Sequence, residues 1–353
     1  MSGRFYPLTV KTTSIEIDGA AKTVSFDVPE QLKSKFNWLP GQHLSFSFKI
    51  DAEEFRRNYS ISNSPNSGDP IRITVKRVKD GKISNYINDH IVPGDVVDVM
   101  PPFGSFFVEP EERKRRTHYF FAAGSGITPL FSMTHSILIK EPESQVNLVY
   151  GNKNNNSILL LEELSSLQEK YPHTFNLLHV LSSPSIWSSF EFWKKGIIDD
   201  KCVAGLFEEF PPYAQDAQYY VCGPGNMNQS VEQALKSMDV PKTRIHMESY
   251  GGDIAIDDSV QGVDARLELI MANQTHELQI NQGETILQAI RRQNLNPPYS
   301  CESGVCGACR AELQQGKVHM RARMALEDTE IESGKILTCQ SLPLEDKIKI
   351  KYD

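Results

Sequence analysis

Four of the six cysteines follow the spacing Cys-x4-Cys-x2-Cys and then, after a long gap, Cys: Cys301, Cys306, Cys309 and Cys339. Thiolates spaced in this way are the ligand pattern of a plant-type [2Fe–2S] cluster. Three of them on one tight loop can wrap a cluster only where the backbone bends sharply and turns N–H groups inward. Gly304 and Gly307 supply the unusual φ values such a loop needs. Ser300 and Ser303 are small and able to hydrogen-bond near the sulfurs. Cys339 arrives from a distant strand end and closes the cage. Zinc usually pairs two short Cys/His hairpins, and disulfides suit an oxidising compartment. Three ligands crowded on one loop fit neither. Cys202 stands apart and reads as a small packed residue.

Two other stretches suit anion chemistry. Ala122-Ala-Gly-Ser-Gly-Ile-Thr-Pro-Leu130 sits at a strand-to-helix turn. Gly124 and Gly126 permit a pyrophosphate to approach the backbone. Pro129 fits a first helical turn, and Thr128 is expected to cap it. Pro129 replaces the third glycine of the ordinary dinucleotide fingerprint. Cys222-Gly-Pro-Gly225 repeats the device after a later strand, and either loop alone is also an ordinary turn. Two such turns at strand ends of one α/β region point to a nicotinamide nucleotide, with Gly223 and Pro224 at the second.

A third set lies in Phe55-Arg-Arg-Asn-Tyr-Ser-Ile-Ser62. Period two places Arg57 and Tyr59 on one strand face. The guanidinium can grip a diphosphate, the ring can pack on a flavin, and the Ser60 hydroxyl can bond near its N5. Gly81-Lys82-Ile83-Ser84 leads into a short helix, Ser84–His90, whose free N–H groups suit an anion. Lys76 is counted among the cofactor-binding residues, without a choice of cofactor. Alone, Arg-x-Tyr-Ser is equally an ordinary strand with a packed aromatic.

These residues need three different frames. Up to about residue 112 short alternating runs predict an antiparallel β-barrel: Thr23–Val28, His43–Phe48, Ile71–Val78 and Val96–Met100. From about Thr117 strands alternate with helices, which predicts βαβ units and a parallel sheet. The strands are Tyr119–Ala123, Val146–Tyr150, Phe175–Leu181, Tyr219–Cys222 and Arg244–Glu248. The helices are Pro129–Ile139, Ile158–Lys170 and Asn226–Met238. Glu248 to Val263 is polar and rich in Gly and Asp, and reads as a linker. Arg266 opens a small α+β unit with strands Arg266–Ala272 and Thr275–Ile280 and a helix Thr285–Gln293. The expected domains are therefore 1–112 for the flavin barrel, 113–248 for the NAD(P) domain, 249–263 for the linker and 264–353 for a β-grasp ferredoxin domain.

Composition sets bounds on this. A chain of 353 residues holds two or three domains. Hydrophobic residues are 39% and charged residues 23%, which is ordinary globular composition. A net charge of −8 argues against a nucleic-acid binder. The N-terminus lacks the pattern of a signal peptide, and no apolar run reaches the ~18 residues of a membrane span. The expectation is a cytoplasmic protein without membrane or nucleic-acid partners. Arg113-Lys-Arg-Arg116 reads as a solvated boundary.

Together the motifs resemble the ferredoxin–NADP reductase-type flavoproteins that carry a C-terminal plant-type ferredoxin domain. The likeness rests on PGQHL (Pro40–Leu44), RRNYSI (Arg56–Ile61), AAGSGITP (Ala122–Pro129), YGN (Tyr150–Asn152), CGP (Cys222–Pro224), IHMES (Ile245–Ser249), the cysteine motif and LTCQSLPL (Leu337–Leu344). Within that family it resembles the reductase subunits of bacterial phenylacetyl-CoA epoxidases, and reductases of other multicomponent oxygenases share the order of units. The resemblance implies an NAD(P)H-dependent reductase that passes electrons through FAD (FMN being the alternative) and the cluster to a partner oxygenase. It implies catalytic roles for Ser60, Cys222 and Glu248 and a place for Tyr250 beside the flavin. In the simple reductases that aromatic residue ends the chain, whereas here a linker follows. Leu181-Ser-Ser-Pro-Ser185 carries no acid and Lys153 follows Tyr150-Gly-Asn, which favours NADPH over NADH. The competing class is a stand-alone flavin and iron–sulfur redox enzyme or a redox sensor. No segment is left over to build a separate substrate pocket or a sensor output.

Overall fold

The computed structural model describes residues 5–51, 53–184, 193–213, 216–250 and 256–352. Three sheets carry the chain. The first comprises β1 (Tyr6–Glu16), β2 (Ala21–Asp27), β3 (His43–Ile50), β4 (Glu53–Ser60), β5 (Arg72–Lys76) and β6 (Val96–Val99), in the order β4-β3-β6-β1-β2-β5. Strand β2 pairs antiparallel with β1 and with β5. Just beyond β4, Ile61 bridges antiparallel to Ile73 of β5, which closes the sheet into a barrel. Leu8, Val10, Val24, Phe26, Ile73 and Val75 are buried within it. The helix α1 (Lys82–His90) buries Ile83 and Ile87 on one face.

The second sheet is wholly parallel. Its elements are β7 (Thr117–Ala123), α2 (Ile127–Lys140), β8 (Gln145–Asn152), α3 (Leu161–Lys170), β9 (Phe175–Leu181), β10 (Trp193–Lys195), α4 (Asp200–Glu209), β11 (Ala217–Cys222), α5 (Gly225–Ser237) and β12 (Ile245–Glu248). The order is β10-β9-β8-β7-β11-β12. The strands are almost continuously apolar because helices cover both faces. Successive strands run outward from β7 to β10, and the chain then returns to β11 on β7's other side. The order therefore reverses between β7 and β11, where ligands bind in open sheets of this kind.

The third unit has β13 (Ala265–Met271), β14 (Gln274–Ile280), α6 (Ile286–Arg292), β15 (Arg310–Gln315), β16 (Val318–Met320), α7 (Asp328–Glu332), β17 (Lys335–Leu337), β18 (Ser341–Pro343) and β19 (Lys347–Lys351). Its mixed sheet is ordered β14-β13-β19-β15-β17, and β13 and β19 are parallel. Ile286, Ala289 and Ile290 of α6 pack into the same core as Leu267, Leu269, Ile348 and Ile350. This is the expected grasp of a helix by a mixed sheet.

By compactness the chain forms two units. Pro7–Leu44 and Tyr59–Gly252 make one, and Met1–Tyr6, Ser45–Asn58 and Asp253–Asp353 make the other. Several local expectations shift. Strand β1 and helix α4 are additions to the expected elements. Helix α1 starts at Lys82 rather than Ser84, α2 starts at Ile127 rather than Pro129, and α3 starts at Leu161 rather than Ile158. Thr128 does not cap α2. It lies inside the first turn and donates its hydroxyl to Ser125 O at 3.0 Å, while Gly126 holds the cap position. Of the linker, residues 251–255 lie outside the described residues, as does Ser185 of the Leu181–Ser185 stretch. Among the described residues no helix is long and apolar enough to cross a membrane.

Helix α6 is held by a capping box: Thr285 accepts from the Gln288 N–H, and the Gln288 side chain accepts from the Thr285 N–H. Thr285→Ala is expected to cost about 1 kcal/mol, read as a lower urea midpoint of the iron–sulfur domain in the full chain.

Candidate functional site

The cysteine loop runs from the end of α6 to β15. Gly304 and Gly307 have φ of +79° and +70°. A Cβ on Gly304 would stand 2.8 Å from Ala322 O, so the loop closes too tightly there for a side chain. Backbone N–H groups turn toward sulfur, from Ser303 to Cys301 at 3.4 Å and from Ala308 to Cys306 at 3.5 Å. Cys339 lies two residues beyond β17, and Thr338 donates its N–H and its hydroxyl to Cys309 O. The thiols interact as two neighbouring pairs, Cys301 with Cys306 and Cys309 with Cys339. The Cys306 thiol, with the Ser303 hydroxyl and amide, holds Cys301 well below the ordinary thiol range despite its burial. Among the described residues no three His, Cys, Asp or Glu converge on a single ion. Two pairs suit the four-cysteine ligation of a two-iron cluster better than one tetrahedral zinc. Ser303 acts as expected, but the Ser300 hydroxyl turns away from the sulfurs.

The nucleotide turns meet at the carboxyl ends of β7 and β11. Those strands are in register from Thr117↔Ala217 to Ala122↔Cys222. Gly124 adopts φ +54°. Its carbonyl accepts from the buried Tyr150 hydroxyl at 2.9 Å, and that hydroxyl in turn accepts from Leu159 N–H. A Cβ on Gly126 would fall 2.0 Å from Cys222 O, so glycine is required by the approach of α2 to β11. No side chain caps the Gly124–Gly126 turn or α2, and Ile127 N–H already bonds Gly124 O and Ser125 O, so an anion would be met by the turn ahead of the helix. A cavity of about 340 Å³ opens here, lined by Gly124, Lys153, Ser182, Pro224, Asn226 and Lys76 among others. Lys76, read from the sequence only as cofactor-binding, lines this same cavity. Sequence reasoning misses Asn226, because a single polar residue after a strand carries no pattern, whereas Ser182 lies in the Leu181–Ser185 stretch read for the nucleotide choice.

Ser60, Thr128, Cys222, Glu248 and Tyr250 come together. The Tyr250 hydroxyl hydrogen-bonds Ser60 Oγ at 2.9 Å and Thr128 Oγ1 at 3.3 Å. Cys222 Sγ is 4.0 Å from Glu248 Oε2, and Asn228 Nδ2 donates to Glu248 O at 3.0 Å. Burial pushes the Glu248 carboxyl up to about 8 against the opposing hydrogen bond from Ser60. Burial, with Glu248 adjacent, also raises the Cys222 thiol well above its ordinary range. Both groups stay protonated and neutral at pH 7. The pocket offers uncharged donors beside the nucleotide turn.

Arg57 and Tyr59 share a face of β4, as period two requires, and Arg57 Nη1 donates to Arg56 O at 2.7 Å. Gly81 sits at the uncapped start of α1, ahead of Lys82, Ile83 and Ser84. The Ser84 hydroxyl donates to Gly81 O and accepts from Val78 N–H, which tightens the turn without covering the helix end. The first-turn N–H groups fit a diphosphate. Cys202 is partly buried against the second domain's core, and burial pushes its thiol up to about 11, so it is not a reactive thiolate. Arg116 Nε pairs with Asp216 at 2.6 Å.

Two outcomes follow from this geometry. Gly126→Ala forces the Cys222 carbonyl aside. Single-turnover reduction of bound flavin by nicotinamide nucleotide is expected to fall about 100-fold, with flavin and iron content retained. Glu248 holds a proton in the folded chain up to about 8 but only to 4.5 when unfolded. Its contribution to stability is complete below 4.5 and is lost as pH rises through 8. Urea midpoints across that range should fall with rising pH for the parent chain relative to Glu248→Gln, whose profile loses this slope.

Three domain families match in sequence: an oxidoreductase FAD-binding domain at residues 8–108, an oxidoreductase NAD-binding domain at 120–233 and a 2Fe-2S iron-sulfur cluster binding domain at 270–344. The chain is 33% identical to a subunit of the 1,2-phenylacetyl-CoA epoxidase of Escherichia coli, over 99% of this chain and 98% of that one. It is 32% identical to the ferredoxin reductase component of 3-ketosteroid-9-alpha-monooxygenase from Rhodococcus rhodochrous, over 98% and 96%. In fold it is similar to phthalate dioxygenase reductase, with a TM-score of 0.58 at 22% identity over 99% and 98% of the two chains. It also matches an intact type IV self-sufficient cytochrome P450 monooxygenase with a TM-score of 0.72 at 19% identity, covering 98% of this chain but only 41% of that longer one. The chain belongs to the ferredoxin–NADP reductase-type flavoproteins with a C-terminal [2Fe–2S] ferredoxin domain, and is an NAD(P)H-dependent oxidoreductase with FAD-binding, NAD(P)-binding and 2Fe-2S-binding domains.

Proposed function

We propose that this chain is the reductase component of a multicomponent oxygenase, of the phenylacetyl-CoA epoxidase kind or a near relative, and works in the cytoplasm. One observation carries the reading: a nucleotide cleft, a flavin strand and a cluster loop occupy one chain. Whole-length similarity to oxygenase reductase components supports it. When bound, the FAD would accept two electrons as a hydride and release them singly to a one-electron cluster. The functional regions are 1–112, 113–248 and 264–353, joined by 249–263.

The chain's own residues bind and orient. Arg57 would grip a diphosphate, the α1 start offers N–H groups to an anion, and Tyr59 would pack on the flavin ring. Gly124, Gly126, Gly223 and Pro224 would let the nucleotide pyrophosphate lie against backbone. Lys153, Lys76 and Ser182 line one cleft, and none of its described lining residues is acidic. That donor set favours a ribose 2′-phosphate and hence NADPH over NADH. Neutral Cys222 and protonated Glu248 would flank the nicotinamide without placing a charge beside it. The Tyr250 hydroxyl is bonded to Ser60 and Thr128, while the residue as a whole is 42% exposed. It would shield that pocket from water.

The test uses Cys306→Ser. This variant is expected to keep NADPH-driven reduction of a two-electron dye close to the parent rate and to lose reduction of a one-electron oxygenase partner. If direct dye reduction collapses together with cluster reduction, the linear order of cofactors is wrong.

A further inference from the structure

Strand β4 has a second face. Arg56 and Asn58 point opposite to Arg57 and Tyr59, because strand side chains alternate. Arg56 is only 6% exposed, although it carries a full charge. Its guanidinium lies over the rings of Tyr299, at 3.9 Å, and Phe5, at 4.8 Å. It donates to Glu54 Oε1 at 2.9 Å, to Tyr299 O at 3.3 Å and to Asn296 Oδ1 at 3.2 Å. Two positions along, Asn58 Oδ1 accepts from the Ser300 hydroxyl at 2.5 Å, and Ser45 Oγ of β3 donates to the same hydroxyl at 2.7 Å. Ser45 and Ser300 are 0% and 3% exposed. Arg291 covers Tyr299 at 4.3 Å and pairs with Glu302 at 3.0 Å. Tyr299, Ser300 and Glu302 flank Cys301 in the sequence.

A buried guanidinium is costly unless its donors are met, and two strand residues are committed here to the backbone and hydroxyl beside one cluster ligand. Ordinary packing would be met by apolar side chains. Planar stacking and directed hydrogen bonds instead set orientation. We propose that Arg56 and Asn58 are positioning residues for the internal electron step: the reverse face of the flavin strand seats the Tyr299–Ser300 segment and so ties Cys301 to the strand that carries Arg57. This rests on the reading of Arg57 and Tyr59 as flavin residues. A hydride brings two electrons and a proton. Each internal step moves one electron from reduced flavin to the oxidised cluster, twice per hydride. The proton leaves to solvent, and no bond to the protein forms or breaks. The contact Arg57–Asn58···Ser300–Cys301 is a continuous covalent and hydrogen-bonded link from a flavin residue to a cluster ligand.

The experiment uses full-length holoenzyme with Arg56→Gln, Arg56→Lys, Asn58→Ala and, for comparison, Arg57→Gln. FAD content, iron content and the dithionite-reduced electron spin resonance signal are measured first, because dithionite reaches the cluster without flavin. Stopped-flow absorbance then separates flavin reduction by NADPH from cluster reduction. Hydrogen–deuterium exchange follows 45–58 and 296–302. The three Arg56 and Asn58 variants should keep both cofactors, the dithionite signal and the hydride rate. Their cluster reduction should slow about tenfold or more. Exchange should rise in both segments together, and Arg56→Lys should stay slow because an ammonium lacks the planar fork. Cluster reduction within about twofold of the parent, unchanged exchange, or loss of the dithionite signal in both Arg56→Gln and Asn58→Ala overturns the proposal. Arg57→Gln tells its failure from that of the flavin reading: retained FAD there sinks the flavin assignment, whereas slow cluster reduction with bound FAD in Arg56→Gln stands apart from it.

Discussion

Strands β7 and β11 lie in parallel register up to Ala122 and Cys222, so the turns that follow leave the sheet side by side. Everything on the nucleotide side depends on that register. It brings Gly126 so close to the Cys222 carbonyl that no side chain fits between them. It places the uncapped start of α2 beside Gly223 and Pro224. It also puts Cys222 level with Glu248, its partner in β12. The pocket's neutral chemistry then follows mainly from burial, because burial disfavours the charged form of both the thiol and the carboxyl.

The cluster loop is built on a different constraint. Its glycines are required by φ and by the Ala322 backbone, its sulfurs by inward N–H groups, and its fourth ligand by the Thr338 hydrogen bonds to Cys309 O. The Thr338 hydroxyl also meets the buried Tyr352 hydroxyl at 2.7 Å, so the residue after the last strand braces the ligand loop. A loop this dependent on local backbone geometry announces itself in the residue order. A brace from Tyr352 does not.

That contrast separates what the residue order makes legible from what it hides. The cysteine spacing, both glycine turns and Arg57-x-Tyr59-Ser60 are short-range patterns, and the sheets beneath them follow from hydrophobic period. Strand β1 escapes because only Leu8 and Val10 of its eleven residues are buried, so its alternation is weak. Helix α4 escapes because it buries only Val203 and Leu206 and has Gly205 at its centre. Thr128 has the residue type of a cap, but the helix begins one residue before it and turns its hydroxyl back to Ser125. The Arg56, Asn58 and Ser300 contacts join residues 240 and 242 positions apart, and no local pattern encodes such a meeting.

The alternation of β4 has a consequence for how this chain can change over time. A single residue inserted or deleted between Glu53 and Ser60 would exchange the two faces of the strand. The arginine and tyrosine now turned one way would trade places with the arginine and asparagine turned the other. Length variation, which surface loops absorb easily, is therefore closed to this strand, while the turns on either side of it stay free to drift.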